Sequence, residues 1–388
     1  MVIHLESDSN GALEYARELS FPRRTGTEGE RKAAQAIVRT LKGLGYETVE
    51  EEFSILALPW VWMKGSHLLT IFFLLTIWLT YEKIPFIAFL FSTLYLVGLG
   101  VWDRIWISMG RWIVSEDLRR GIRSMNISAH LPGNQEGQPL YLMAHYDSKS
   151  QSLNLYLRTG LFLFGALSGG LFCLGVWIYV PAFFQVFFFL SVMVHLVLIS
   201  SRMGNRSEGA LDNASGVGTL LQVARAWASR KTKGVDLRFI FTGAEEMGLL
   251  GSLMFQKRWR KRMVFEGAFL INIDSVGKKG KIRVCSSGEA GKRWLKEVFA
   301  FTREKGIDLR PLRFHKGIMM DHLPFSHLGI PSLSLTSIST EGWHLHTPRD
   351  TFSLVQPEGL AEMERLVLAL IESIATRALP LSALSSPP

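Results

Sequence analysis

Four long apolar runs constrain this chain more than any other feature: approximately Met63–Tyr81, Ile84–Trp102, Gly160–Tyr179 and Ala182–Ile199. Each is close to the roughly 20 residues that a helix needs to cross a bilayer. They come as two pairs with very short links, Glu82-Lys83 in the first and Val180-Pro181 in the second. A link that short permits only a tight helical hairpin, so both ends of each pair return to one side. Trp60, Trp62, Trp102, Trp106 and Trp112 flank the first pair, as interfacial aromatics do. Buried core helices of a large soluble protein are the competing reading, but the runs carry almost no charge. The expectation is a multi-pass membrane protein with four transmembrane helices in two hairpins and the lipid bilayer as a partner.

Charge then orients the chain. Lys64, Arg104, Arg111, Arg119, Arg120, Arg123, Arg158, Arg202 and Arg206 lie on the side of the hairpins that leads back to the rest of the sequence, whereas the two links carry one lysine between them. By the positive-inside rule the polar bulk faces the cytoplasm. The start, MVIHLESDSN, is acidic and polar and does not read as a cleavable secretory signal. Asp103–Ile113 places Ile105, Trp106, Met109, Trp112 and Ile113 on one helical face, as a helix lying on a membrane surface does. A packed amphipathic core helix is the close competitor.

The 388 residues hold 43 Lys and Arg against 34 Asp and Glu, a net charge of +9, which leaves nucleic acid or anionic lipid as partners. No base-reading motif accompanies the charge, so no nucleic-acid partner is expected. The cluster Lys257, Arg258, Arg260, Lys261 and Arg262 reads as a solvated helix end near anionic lipid. Two cysteines exclude a disulfide scaffold and a Cys-rich zinc module. The organisation expected is a polar domain in three parts, 1–62, 103–158 and 201–377, interrupted by hairpins at 63–102 and 159–200. A Ser/Pro-rich disordered tail follows at 378–388. The 103–158 part opens with the surface helix.

Within the polar parts, Gly29–Gly45 is an amphipathic helix and Tyr46–Ile55 alternates as a strand. Leu140–Ala144, Leu237–Phe241, Ala268–Ile273 and Ser332–Leu335 are short apolar runs suited to buried strands. Helices fit Asn213–Ser229, Gly248–Arg258, Ala290–Lys305 and Glu358–Ala375. Strands alternating with helices predict an α/β domain around a mixed, largely parallel sheet.

Chemistry-bearing residues sit where these strands end. After YLMA come His145 and Asp147, which face the same way on an extended backbone, so one metal-binding imidazole and its orienting carboxylate fit there. Gly209–Gly216 (GALDNASG) opens a helix and carries Asp212, which an ordinary N-cap also explains. After LRFIFTG, the adjacent Glu245 and Glu246 suit one metal ligand and one general base, or the acidic first turn of a helix. Asp274 closes the apolar run AFLINID, at the edge where α/β folds bind ligands. His346 precedes a proline turn in WHLHTPRDT.

The motifs HYD, LDNASG, GAEEMGLLGS, NID and HTPRDT resemble the two-zinc exopeptidases of metallopeptidase family twenty-eight, which includes bacterial leucyl aminopeptidases, glutamate carboxypeptidases and glutaminyl cyclases. PRRTGTEGERKAAQAI, and Asp321-His322-Leu323-Pro324-Phe325 before Gly329-Ile330-Pro331, look like the same family. The resemblance covers nearly all of the chain outside the hairpins, which depart from the soluble members. It implies a three-layer αβα domain and two Zn²⁺ ions bridged by Asp212. It further implies His145 and Asp274 on one metal, Glu246 and His346 on the other, Asp147 orienting His145, and Glu245 as general base. Three carboxylates against two dications leave such a site near neutrality.

His344 competes with His346, which the family pattern favours; His315, His322 and His327 read as structural or pocket-lining. Asp321 and His322 are candidates for the border of the substrate pocket. His195, inside the fourth apolar run, reads as a packed or interfacial residue. The expected function is a membrane-anchored zinc aminopeptidase acting on peptides. Glutaminyl cyclase chemistry is the nearest alternative, suggested by HYDSK, Asp321-His322 and Trp343; a catalytically silent membrane scaffold on the same fold is another. A transporter is the poorest, because the spans carry too little intramembrane charge. Amino- versus carboxypeptidase action and oligomeric state stay open.

Overall fold

The computed structural model describes residues 9–56, 59–132, 137–230, 234–280, 282–312, 319–337 and 340–376. His315 and the 378–388 tail lie outside the described residues. The chain divides into two compact units, one of Met1–Leu56, Gly110–Ser150 and Gly204–Pro388, the other of Ala57–Met109 and Gln151–Met203.

The first unit is built on a nine-stranded sheet. Its strands are β1 (Glu47–Ile55), β2 (Val114–Ser115), β3 (Ile122–His130), β4 (Gly137–His145), β5 (Gly234–Thr242), β6 (Phe269–Ile273), β7 (Arg283–Ser286), β8 (Arg310–Pro311) and β9 (Ser332–Thr336). In space they run β8-β7-β9-β6-β4-β5-β3-β1-β2. The centre, β9-β6-β4-β5, is parallel, and β3 pairs antiparallel to both β5 and β1. The central strands read as continuous apolar runs because both faces of a parallel sheet are covered. On one face Tyr141, Met143, Ile240 and Leu270 pack with Phe255 and Met263 of helix Leu250–Phe265 and with Phe325 and Ile330. Helices Ser215–Ala228 and Pro357–Ala375 contact each other and strands β4 and β5, and helix Ser9–Glu18 packs on both. The architecture is a mixed α/β fold around a large mixed sheet. Gly251, in GLLGS, lets helix Leu250–Phe265 start against β5, since a Cβ there would collide with the Gly243 carbonyl.

Helix Glu28–Gly43 begins with a buried acid. The Gly26 amide donates to Glu30 Oε2 at 2.6 Å and Ser124 Oγ to Oε1 at 2.5 Å. Burial, reinforced by the charge of Asp147, pushes the Glu30 carboxyl up to about 8 against the pull of these hydrogen bonds. Between about pH 4.5 and 8 the native state therefore holds a proton that the unfolded chain has lost, and stability falls as pH rises, by up to roughly 1.4 kcal/mol per unit. Glu30→Gln keeps the shape without the titration. It should raise the melting temperature at pH 8.5 and leave it unchanged near pH 4, as thermal unfolding across that range would show.

The second unit is helical: Pro59–Thr80, Pro85–Gly100, Leu155–Trp177 and Pro181–Ser200, with helix Trp102–Ile113 leading back to the sheet. Leu74, Ile77, Ala88, Tyr95, Phe172, Cys173 and Phe188 form its core. Ser191 Oγ donates to the Gly165 carbonyl at 2.8 Å, a close approach that small residues allow. His195 is not an isolated packed residue: its Nδ1 lies 3.0 Å from His67 Nδ1.

The count of spans is lower than the four expected from the apolar runs. Among the described residues two helices, Val61–Thr80 and Leu155–Trp177, are long and apolar enough to cross a membrane, or up to three if the pair Pro85–Gly100 and Trp102–Ile113, bent by 76°, forms one span. In the second insertion the described part of the returning helix, Phe184–Ser200, counts among the shorter apolar helices; in the first the reason is length. Pro85–Gly100 has 16 residues, about 24 Å at 1.5 Å per residue against a hydrocarbon core of about 30 Å. Ile84 and Val101, counted in the apolar run, serve as its caps.

Candidate metal centre

His145 ends β4, Glu245 and Glu246 follow β5, Asp274 follows β6, and His346 lies in the segment after β9, so four parallel strands deliver their chemistry to one edge of the sheet. Asp212 arrives from the turn before helix Ser215–Ala228, where the Asp212–Asn213 peptide is cis. His145 Nε2 lies 3.2 Å from Asp212 Oδ1 and 3.6 Å from Asp274 Oδ1. His346 Nε2 lies 3.0 Å from Asp212 Oδ2 and 3.1 Å from Glu246 Oε2. Two triads result, His145/Asp212/Asp274 and Asp212/Glu246/His346, each with its donor atoms within 4.8 Å of one another. The two oxygens of Asp212 divide between them.

This donor set fits a pair of zinc ions. Nitrogen and oxygen ligands at 2.0–2.2 Å in a tetrahedron stand about 3.4 Å apart, close to the spacings above. Glu246 Oε1 and His346 Nδ1 are buried without a hydrogen-bond partner among the described residues. A carboxylate oxygen so placed is costly unless a cation or donor meets it. His344 belongs to neither triad.

The backbone is bent to make these approaches. Ala244, Ser275 and His346 have φ of 55°, 54° and 60°, a left-handed conformation that non-glycine residues seldom adopt and that gathers at functional sites. They precede Glu245, follow Asp274 and carry the imidazole itself.

Asp147 is fully buried and serves more than His145. Its Oδ1 accepts from the Glu245 amide at 3.0 Å and stands 3.5 Å from His145 Nδ1; its Oδ2 accepts from the Glu246 amide at 3.2 Å and from Thr25 Oγ1 at 2.9 Å. His145 Nδ1 also stands 3.2 Å from the Asp147 carbonyl, so one residue, through its carbonyl and carboxylate, fixes both the β4 imidazole and the backbone that aims the paired glutamates.

Electrostatics separate the acids. Burial, with Glu246, Asp321 and Asp274 adding to it, pushes Glu245 well above the usual carboxylate range, while His145 opposes. Burial acts the same way on Asp212, but its hydrogen bonds to His145 and His346 win and hold it low. Glu246 is also held low, because the charges of His346 and Lys149 outweigh burial. Glu245 Oε2 lies 4.0 Å from His145 Nε2. Asp321 is buried and accepts from Thr242 Oγ1 at 2.5 Å, its carboxyl pushed up by burial to about 6. His322, 2% exposed, sits between Ser334 Oγ at 2.7 Å and Ser287 Oγ at 3.3 Å. Both present little surface.

Four supporting residues carry no signal in strand-end motifs. Arg23 is fully buried and donates to the carbonyls of Tyr146 at 2.8 Å, Glu208 at 2.6 Å and Gly209 at 3.0 Å. It thus ties the end of β4 to the turn that carries Asp212, where Gly209 has a φ of 58°. Thr25 holds Asp147. Asp350 accepts from the Leu211 and Asp212 amides at 2.8 and 3.2 Å, and burial beside Asp212 pushes its carboxyl up to about 7. Lys149 Nζ contacts Glu246 Oε2 at 2.7 Å and its carbonyl at 3.1 Å. The motifs PRRTG, HYDSK and HTPRD contain these residues without marking their role.

Thr25→Val removes one hydrogen bond at constant volume. It should leave the fold intact and weaken zinc binding by less than the about 10- to 100-fold that loss of the orienter itself typically costs. Competition with a chelating indicator measures this.

A mixed α/β sheet whose parallel strands end on two carboxylate–histidine triads defines the class, an α/β fold of the aminopeptidase type with donors for metal ions. Solved structures with this fold include the zinc aminopeptidase BSAP from Bacillus subtilis, with a TM-score of 0.55 and 17% identity over 97% of this chain and 96% of that one. Porphyromonas gingivalis glutaminyl cyclase gives 0.52 and 17% over 94% and 98%. Residues 126–371 match Peptidase family M28, and the chain belongs to that family. Aminopeptidase YwaD of Bacillus subtilis is 31% identical over 42% of this chain, and the vacuolar membrane protease of Schizosaccharomyces japonicus 32% over 40%. The matches span 37% and 18% of those relatives' lengths, well under half of either.

Proposed function

We propose that this M28 peptidase is a membrane-anchored two-zinc aminopeptidase that removes N-terminal residues from peptides. The observation that carries the reading is the division of Asp212 between the two triads with Glu245 alongside. His145 and Asp274 would hold one ion, Glu246 and His346 the other, and Asp212 both. When bound, the ions supply Lewis-acid polarisation of the scissile carbonyl and acidify water. Glu245 takes the proton of the attacking water and delivers it to the leaving amine, a role that suits a carboxyl whose proton affinity burial has raised. Asp147 keeps the imidazole of His145 and the Glu245 backbone in register. The likeness to Aminopeptidase YwaD favours a substrate with a free N-terminus.

Topology supports an even number of crossings in each insertion. β1 precedes the first insertion, β2 to β4 lie between the two, and β5 to β9 follow the second, yet all pair in one sheet. They share one aqueous compartment, so Val61–Thr80 and Leu155–Trp177 each need a returning segment. The basic residues flanking the insertions favour the cytoplasmic side for that compartment.

A panel of free, N-acetylated and glutaminyl peptides tests the chemistry. Release of the first residue from free peptides alone is the expected result. Cyclisation of N-terminal glutamine without hydrolysis would replace this reading with that of a cyclase.

A further inference from the structure

We propose that the substrates are peptides tethered to the bilayer surface, a step that rests on the aminopeptidase reading. The observation is where the apolar insertions join the sheet. The second leaves the catalytic unit after Ser150 and returns at Gly204, three residues after Asp147 and eight before Asp212. Its long apolar helix starts at Leu155. At no more than about 3.6 Å per residue, the eight residues from Asp147 to Leu155 bridge at most about 29 Å.

The first insertion joins at the same edge. β1 runs parallel to β5 through β3, and the register Phe241↔Ile127↔Glu50 leaves Ile55 five residues beyond Phe241 on the side where Glu245 and Glu246 follow. Ile55 pairs there with Val114, which receives the returning chain. Both insertions thus depart from the strand ends that carry the site, not from the opposite edge.

Because a link of only eight residues ties Asp147 to the start of that apolar helix, substrates held at the same membrane surface meet the site at a raised effective concentration, the condition under which tethering increases apparent affinity without a new contact. An extended peptide of about nine residues spans the same distance. The chemical class is therefore a polypeptide with a free N-terminus and an apolar or lipidated C-terminal anchor. Carrying the insertions at the site edge gives access to such termini; insertions at the other edge would not.

The test uses the full zinc-loaded chain in vesicles and leucine-initiated peptides with Gly/Ser spacers of 3 to 20 residues, with or without a C-terminal dipalmitoyl anchor. The expected result is at least a tenfold higher rate for the anchored peptide at equal bulk concentration, with spacers of about nine residues sufficing. The gain should vanish when enzyme and anchored peptide occupy separate vesicles. Unanchored peptides cleaved as fast as anchored ones, or a gain that needs spacers near 20 residues, would overturn the proposal and leave the aminopeptidase reading standing. Failure to cleave any peptide would overturn both.

Discussion

Glu245→Gln should bind zinc as the unaltered protein does, unfold at a similar temperature, and lose at least about 100-fold in kcat. Removing a positioned acid–base group typically forfeits 10²- to 10⁴-fold, and Glu245 belongs to neither triad. The neutral amide matches its shape, and the Glu245 amide bond to Asp147 is a backbone contact that the change leaves alone. Loss of metal together with activity would instead make Glu245 a ligand. Metal content by mass spectrometry, alongside turnover of a free dipeptide, separates the two.

Asp212→Ala should fail differently. Each triad drops from three donors to two, and the carboxylate that faces both histidines disappears. Zinc affinity should fall at both positions at once, with activity below detection. Asp274→Ala, by contrast, strips a donor from one triad and should reduce binding at a single position. Calorimetric titration of chelator-stripped protein reports these patterns as two, one or no tight equivalents.

The site was legible because strand ends are legible. His145, Glu245, Glu246 and Asp274 each follow an apolar run, and a parallel sheet sends all such ends to one edge. Asp212 and His346 are legible only through motif resemblance, since neither follows a strand directly and the left-handed φ at His346 is invisible to periodicity. Arg23 and Thr25 were passed over for another reason: their partners, Tyr146 and Asp147, lie more than a hundred residues away. β3, Ile122–His130, escapes because IRSMNISAH mixes polar residues into an outer antiparallel strand, and β8 because it is only two residues long. The hairpins were legible as apolarity, while their span count depended on where caps and the 76° bend fall, details set by backbone geometry. His195 looked solitary because its partner His67 comes from the other insertion.

Zinc titration of chelator-stripped wild-type protein, read by release of the N-terminal residue from a free dipeptide, tests the central claim most directly. Activity absent in the stripped protein and restored as zinc reaches two equivalents per chain is the predicted result, with the N-acetylated dipeptide untouched throughout. Full activity after stripping, or equal cleavage of the blocked dipeptide, would contradict a two-zinc aminopeptidase.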